Sequence, residues 1–216
     1  MDALKARLGI DLTLEKLFTR NAPDKVFSKV KDNMPLIANY NFMADLLFLP
    51  ETKAGFKYLL VVVDLASDAF DIEPLKNKES RTVLRALLAM FRRPYIHEPY
   101  SSIRTDAGTE FMGEFHQWLH DHNILHKIGL VGRHSQQANV ERLNRTLGGL
   151  FNSYMNTKER TLRHEYREWT DIVDNVRDEL NAYFRRKRKP LPVNLRTHVY
   201  PSWHSKEEPM NLTWVI

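Results

Sequence analysis

The sequence predicts an α/β protein built on a mixed five-stranded sheet flanked by helices. Three observations predict it. Apolar residues up to position 37 recur at helical spacing, whereas residues 39–49, 57–64 and 69–73 are rich in β-branched and aromatic residues and are separated by turn signals. From residue 77 onward, helical stripes alternate with two short strand-like runs.

Residues 1–37 form an N-terminal helical segment with Leu4, Leu8, Leu12, Leu14, Leu17, Phe27 and Val30 at helical spacing, broken near Asn21-Ala-Pro23 into two short helices. Three sequential antiparallel strands follow, joined by Pro50-Glu-Thr-Lys-Ala-Gly55 and Leu65-Ala-Ser-Asp68. Asn77 to Arg81 starts a helix with Val83, Leu84, Leu87, Leu88 and Phe91 on one face, and Pro94 ends it. Ser102 to Thr105 is a short strand, Phe111 to His122 a helix, and Ile124 to Ile128 a fifth strand. After a polar loop, Gly129 to Gln137, a helix runs from Ala138 to about Asn156, and another spans Arg163 to Phe184. The organisation expected is a core over 38–157, a helical extension with a basic run over 158–192 and an irregular tail over 193–216.

Composition narrows the function classes. At 27% charged and 43% hydrophobic residues, the 216-residue chain can bury a core and is neither disordered nor fibrous. No apolar run approaches the roughly 18 residues that span a bilayer, so no membrane partner is expected. There are no cysteines, which removes disulfide frameworks and thiolate zinc sites and fits a reducing compartment. A net charge of +5 mildly favours a polyanionic partner.

Three carboxylates carry the chemistry. Asp45 sits inside Tyr40-Asn-Phe-Met-Ala-Asp45-Leu-Leu-Phe-Leu, Asp106 ends the strand Ile103-Arg-Thr, and Glu141 opens a helix within Asn139-Val-Glu141-Arg-Leu-Asn144-Arg145. Acidic groups in segments that favour burial cost free energy unless something positive neutralises them. Magnesium or manganese would do so, since these hard ions prefer oxygen ligands. A pair of such ions drives in-line phosphoryl displacement, one activating the attacking oxygen and the other stabilising the leaving 3′ oxygen. For the three to meet, the first strand and the strand before Asp106 must be neighbours, which is the ribonuclease H-like arrangement.

These residues resemble the catalytic core of retroviral-type integrases and related transposases, the D,D,E superfamily. The resemblance covers residues 38–157 and continues more loosely through Pro192. Within the superfamily it is most similar to integrases of Polinton or Maverick elements and virophages, on the cues Phe56-Lys-Tyr-Leu-Leu-Val-Val-Val-Asp64, Pro74-Leu-Lys-Asn-Lys and Val140-Glu-Arg-Leu-Asn-Arg-Thr146. It implies that Asp45 bridges two ions while Asp106 and Glu141 hold one each, and that the chain trims a DNA 3′ end and joins it to target DNA. The 34 residues between Asp106 and Glu141 are one short of the family's usual spacing. Two rivals remain: a ribonuclease H-like nuclease that cuts without joining, and an inactive core serving as a DNA- or protein-binding scaffold.

The flanking residues extend the reading to DNA. Asn144 and Arg145 lie three and four residues past Glu141 on the same helix face, Arg142 is adjacent, and Gln137 precedes Glu141 by four. The resemblance places Asn144 at the site's rim, Arg145 against DNA phosphates and Gln137 in a mobile loop. An ion pair between Glu141 and Arg145 is the bland alternative. Arg185, Arg186, Lys187, Arg188 and Lys189 suit phosphate binding or a nuclear-localisation signal, or simply complement a helix C-terminus. His116 and His120 are four apart, but no Glu follows His116 as a metalloprotease motif requires, so no zinc is expected. Asp64 reads as a structural strand end.

The resemblance further implies double-stranded DNA, both element ends and target, as partner and a homodimer or higher oligomer. It implies action in the host nucleus, or in a virion or the cytoplasm beforehand. Without cysteines the family's zinc domain is not in these residues, and the 24 residues after Pro192 are short for its β-barrel. The expectation is a core fragment or a reduced integrase.

Overall fold

Along Asn41–Phe48 successive side chains alternate between two apolar layers, and that alternation sets the architecture. The computed structural model describes residues 2–10, 37–129 and 138–187. Its strands are β1 (Asn41–Phe48), β2 (Tyr58–Asp64), β3 (Phe70–Leu75), β4 (Ser102–Thr105) and β5 (Leu125–Ile128). The helices are α1 (Asp2–Arg7), α2 (Ser80–Met90), α3 (Glu114–Asp121), α4 (Ala138–Leu162) and α5 (Val173–Lys187). The strands form one sheet in the order β3-β2-β1-β4-β5, with β1–β2 and β2–β3 antiparallel and β1–β4 and β4–β5 parallel.

Each face of the sheet has its own helical cover. Phe42, Ala44, Leu46, Leu60, Val62 and Ile103 pack with Val83 and Leu87 of α2 and Phe115 and Leu119 of α3. Met43, Leu59, Val61 and Val63 pack with Val140, Leu143 and Leu147 of α4 and Val176 and Leu180 of α5. Leu4 and Leu8 from the N-terminal segment join this second layer, while residues 11–36, where another helix is expected, lie outside the described residues. The second layer runs unbroken past residue 157, because α4 crosses that position and α5 packs on the same core.

Four helix boundaries differ from expectation. The helix expected from Phe111 is a 3₁₀ turn, Thr109–Phe111, followed by α3. Gly113 separates them at φ 56°, a conformation glycine adopts without strain, and Ser80 Oγ secures the break by accepting from Phe115 N–H (2.9 Å) and donating to Met112 O. Helix α4 continues to Leu162, and Arg163 at φ 56° ends it. The helix expected from Arg163 begins instead as a 3₁₀ turn at Trp169–Ile172. Trp169 is buried there and donates from Nε1 to Pro50 O at 2.7 Å, so tertiary anchoring sets the start. The helix before Pro94 ends four residues early, at Met90.

Polar contacts fasten α5 to the edge strand β3. The Asn181 side chain accepts from Phe70 N–H (3.1 Å) and donates to Phe70 O (2.9 Å), as a neighbouring strand would. Asp71, fully buried, is held by Arg93 at 2.8 Å, and Arg93 also reaches Glu73 at 2.6 Å. Arg177 Nε stands 3.8 Å from Asp71. Burial pushes the Asp71 carboxyl up, against the opposing pull of Arg93. Arg93→Ala is expected to lower stability by about 3 kcal/mol, because it strands a buried carboxylate. The urea midpoint measures this, and adding Asp71→Asn to the variant is expected to recover most of the loss.

Candidate active site

The sheet order places β1 beside β4, with Asn41, Phe42 and Met43 in register with Ser102, Ile103 and Arg104. Asp45 shares the face of Met43 and Leu47, which α4 covers, and occupies a position that its neighbours make apolar. Asp106 follows the last residue of β4, where the chain leaves the ladder. Glu141 lies in the first turn of α4. Three elements distant in sequence therefore present their carboxylates at one end of the sheet.

Asp45 is the most constrained of the three. Its Oδ1 accepts from Leu46 N–H at 2.9 Å and its Oδ2 from Asn144 Nδ2 at 2.7 Å. Burial pushes its carboxyl up to about 6, and the negative charges of Asp106 and Glu141 add to the shift while the two hydrogen bonds oppose it. The charges of Asp106 and Glu141 are thus both felt at Asp45. Asp106 Oδ1 accepts from Gly108 N–H at 3.1 Å, which closes a turn just after the strand. Asn144 Oδ1 is buried with no hydrogen-bond partner among the described residues.

The donor set suits magnesium or manganese: carboxylate oxygens, an unsatisfied amide oxygen, and like charges at a half-buried position. Among the described residues no three His, Cys, Asp or Glu side chains are gathered closely enough to hold one ion.

Among the expected DNA contacts, Asn144 turns inward to Asp45, while Arg142 and Arg145 are exposed on α4. Arg142 and Lys187 line one groove of about 300 Å³ with Asp68, Leu143, Thr146, Tyr183 and Phe184, which joins the start of α4 to the end of α5. Arg185, Arg186 and Lys187 are exposed in the last turn of α5, and Lys187 Nζ lies 4.9 Å from the Tyr183 ring centre. Gln137, Arg188 and Lys189 fall outside the described residues.

Asp64 is structural. Its carboxylate accepts from Asn39 N–H (3.0 Å), Ala66 N–H (3.1 Å) and the Ser67 hydroxyl, and so ties off the β2–β3 turn. His116 and His120 are not joined: His116 meets His126, and His120 meets Asp121 at 3.5 Å. Among the described residues no helix is long and apolar enough to cross a membrane.

Comparison with known proteins sets a family beside this geometry. Residues 37–134 match the integrase core domain. Asp45 and Asp106 lie inside the matched segment and Glu141 beyond it. The chain is 34% identical over 96 residues to the Gag-Pol polyprotein of avian reticuloendotheliosis virus, a match covering 44% of this chain but spanning only 8% of that polyprotein. A chain of the simian T-cell lymphotropic virus intasome, solved with the PP2A regulatory subunit B56 gamma, superposes with a TM-score of 0.52 at 22% identity, over 63% of this chain and 48% of that one. The HTLV-2 integrase catalytic core domain, solved in complex with magnesium in a dimeric form, gives 0.47 at 25% identity, over 56% and 76%. The 0.52 superposition and the sheet order agree with the fold class the sequence predicts, a ribonuclease H-like mixed five-stranded sheet flanked by helices.

Two cations beside Asp45 are not evident from the sequence. Arg104 is in register with both Met43 and Lys127, so Arg104 and Lys127 share the sheet face of Asp45. Burial, and then the charge of Arg104, lower the affinity of Lys127 for its proton. Only strand register reveals this pair, because Arg104 and Lys127 sit in short strands 23 positions apart.

Nor is His126 evident from the sequence. Its ring, edge-on to Phe115, is half-buried, and burial followed by the neighbouring His116 lowers it to about 4. Because the folded state resists protonation more than the unfolded chain, the stability tied to neutral His126 is complete above about 6.5 and is lost as pH falls towards 4. The melting-temperature advantage of the wild type over His126→Gln is therefore expected to shrink between pH 7 and pH 5, which thermal melts across that range measure.

Proposed function

We propose that this chain is the catalytic core of a retroviral-type DNA integrase, one that trims a DNA 3′ end and joins it to target DNA. The observation carrying this reading is Asp45: a carboxylate placed in an apolar strand position, oriented by Asn144 and electrostatically coupled to Asp106 and Glu141. The integrase-core match over residues 37–134 supports the same reading.

In this proposal Asp45, Asp106 and Glu141 would hold two divalent cations, magnesium or manganese. When bound, these ions supply Lewis acidity to the scissile phosphate and to the attacking and leaving oxygens. Asn144 keeps the Asp45 carboxylate in one orientation by donating to Oδ2. Arg142, Arg145, Arg104 and Lys127 provide positive charge around the carboxylates to receive DNA phosphates. Lys187, through the groove it shares with Arg142, extends that surface to the basic end of α5. Gln137 is assigned to the DNA end on sequence grounds alone. Both steps are direct displacements at phosphorus, so no serine, tyrosine or cysteine nucleophile takes part. The element of origin is proposed to be of Polinton, Maverick or virophage type on the sequence cues at 56–64, 74–78 and 140–146. The working assembly is proposed to be a dimer or larger oligomer acting in the host nucleus.

A labelled duplex carrying the element's terminal sequence, incubated with the protein, supercoiled target DNA and manganese, tests the proposal. Products longer than the input strand are expected. Nicking without joined product would identify a ribonuclease H-like nuclease instead, and neither product together with DNA binding would identify a scaffold.

A further inference from the structure

On the sheet face opposite Asp45, a chain of hydrogen bonds runs from the surface of α3 to the backbone of Asp106. Thr105, buried at the end of β4, donates from Oγ1 to Asp106 O at 2.7 Å. His126 Nε2 lies 2.9 Å from the same Oγ1, and His126 Nδ1 lies 2.8 Å from Nδ1 of His116. Strand register explains the encounter: His126 is paired with Ile103, so His126 and Thr105 point to the α3 side together.

Proton counting gives the chain a direction. The Thr105 hydroxyl has one proton, and it is committed to the Asp106 carbonyl. At Nε2 the imidazole must therefore be the donor. A neutral ring that carries its proton on Nε2 has a bare Nδ1, so His116 must donate from its own Nδ1. The depressed proton affinity of His126 is consistent with the neutral ring this scheme needs.

The placement matters because Asp106 is the first residue beyond the ladder. The peptide before it is held by Gly129 N–H donating to Thr105 O at 2.8 Å. The peptide after it has Thr105 Oγ1. With both peptides fixed, the Cα–Cβ direction of Asp106 follows from the backbone, and Gly108 N–H at 3.1 Å from Oδ1 orients the carboxylate.

We infer that Thr105 and His126 are positioning residues for Asp106, with His116 selecting the tautomer of His126 that completes the chain. This rests on the proposed metal-binding role of Asp106. It also assigns a use to two histidines that catalysis would not touch.

Two measurements on the whole chain test the inference. Long-range proton–nitrogen spectra of the ¹⁵N-labelled protein at neutral pH are expected to show His126 protonated on Nε2 and His116 protonated on Nδ1. His116→Ala is expected to leave His126 as a tautomer mixture. Manganese titration followed by electron paramagnetic resonance gives the second readout. Thr105→Val and His126→Phe are each expected to weaken manganese binding about tenfold, whereas Thr105→Ser, which keeps the hydroxyl, retains it. Wild-type affinity in a folded Thr105→Val protein, or an Nδ1-protonated His126, overturns the inference. If Thr105→Val does not fold, His126→Phe and the tautomer spectra decide the matter. Asp106→Asn separates the two levels: unchanged manganese affinity in that variant removes the metal-site reading and this inference with it. A loss there without a loss in Thr105→Val or His126→Phe removes this inference alone.

Discussion

Asp45→Asn is expected to abolish DNA joining while making the metal-free protein more stable. The folded protein holds the Asp45 proton up to about pH 6, against 3.8 for the free side chain. A raised carboxyl contributes stability that is complete below the unfolded value and is lost as pH rises through the folded one. At neutral pH the charged Asp45 is therefore a cost to the fold, on the order of 1–3 kcal/mol. Asparagine removes that charge. It can still accept from Leu46 N–H, and its amide can donate to Asn144 Oδ1 once the Asn144 amide turns over, so both present contacts are kept.

Melting in a chelator at pH 7.5 is expected to show the variant higher by roughly 3–8 °C, with the difference vanishing near pH 4. Manganese is expected to raise the melting temperature of the wild type and not of the variant. A variant less stable than wild type at pH 7.5 in chelator would make Asp45 a structural residue and remove its claim to function.

Asp106→Asn is the second large effect. Asp106 is exposed at the strand end, and its Oδ1 contact with Gly108 N–H is one an asparagine oxygen can make equally well. The fold is thus expected to be untouched, with a melting temperature within about 2 °C of wild type. Joining is expected to fall by at least about 10²–10³-fold, because one of three ligands to ions worth several kcal/mol of transition-state stabilisation is lost. Glu141→Gln is expected to behave in the same way. Retained joining by a purified Asp106→Asn protein would falsify the mechanism. The contrast with Asp45 is informative: both variants lose activity, yet only the buried carboxylate costs stability to maintain.

The legibility of this chain in its sequence follows the physics of each element. β2 was plain because Leu59, Leu60, Val61 and Val62 are buried on both faces, and such a run has no other economical use. Ser102–Thr105 was found residue for residue, since turn-forming residues precede it and Asp106 ends it. The helix boundaries at 113, 163 and 169 were not legible. They depend on Ser80 reaching across to Met112 and Phe115, and on Trp169 reaching Pro50, contacts between residues 32 to 119 positions apart.

The candidate site divides along the same line. Asp45, Asp106 and Glu141 could be picked out because a carboxylate in an apolar run is conspicuous wherever it occurs. The neighbours that matter to them were harder. Arg104, Lys127, Thr105 and His126 are unremarkable residues in short strands, and only register shows which of them face the carboxylates and which support Asp106 from behind. Helical spacing puts Asn144 on the face of Glu141, but that its amide turns towards Asp45 is visible only in the fold.

The convergence of three carboxylates on shared cations is tested most directly by diffraction at the manganese absorption edge from crystals grown with manganese. The account predicts two manganese peaks, both contacted by Asp45, with Asp106 and Glu141 each completing one of them. Manganese bound elsewhere with Asp45 left free, or a single ion that Asp45 does not touch, would contradict it.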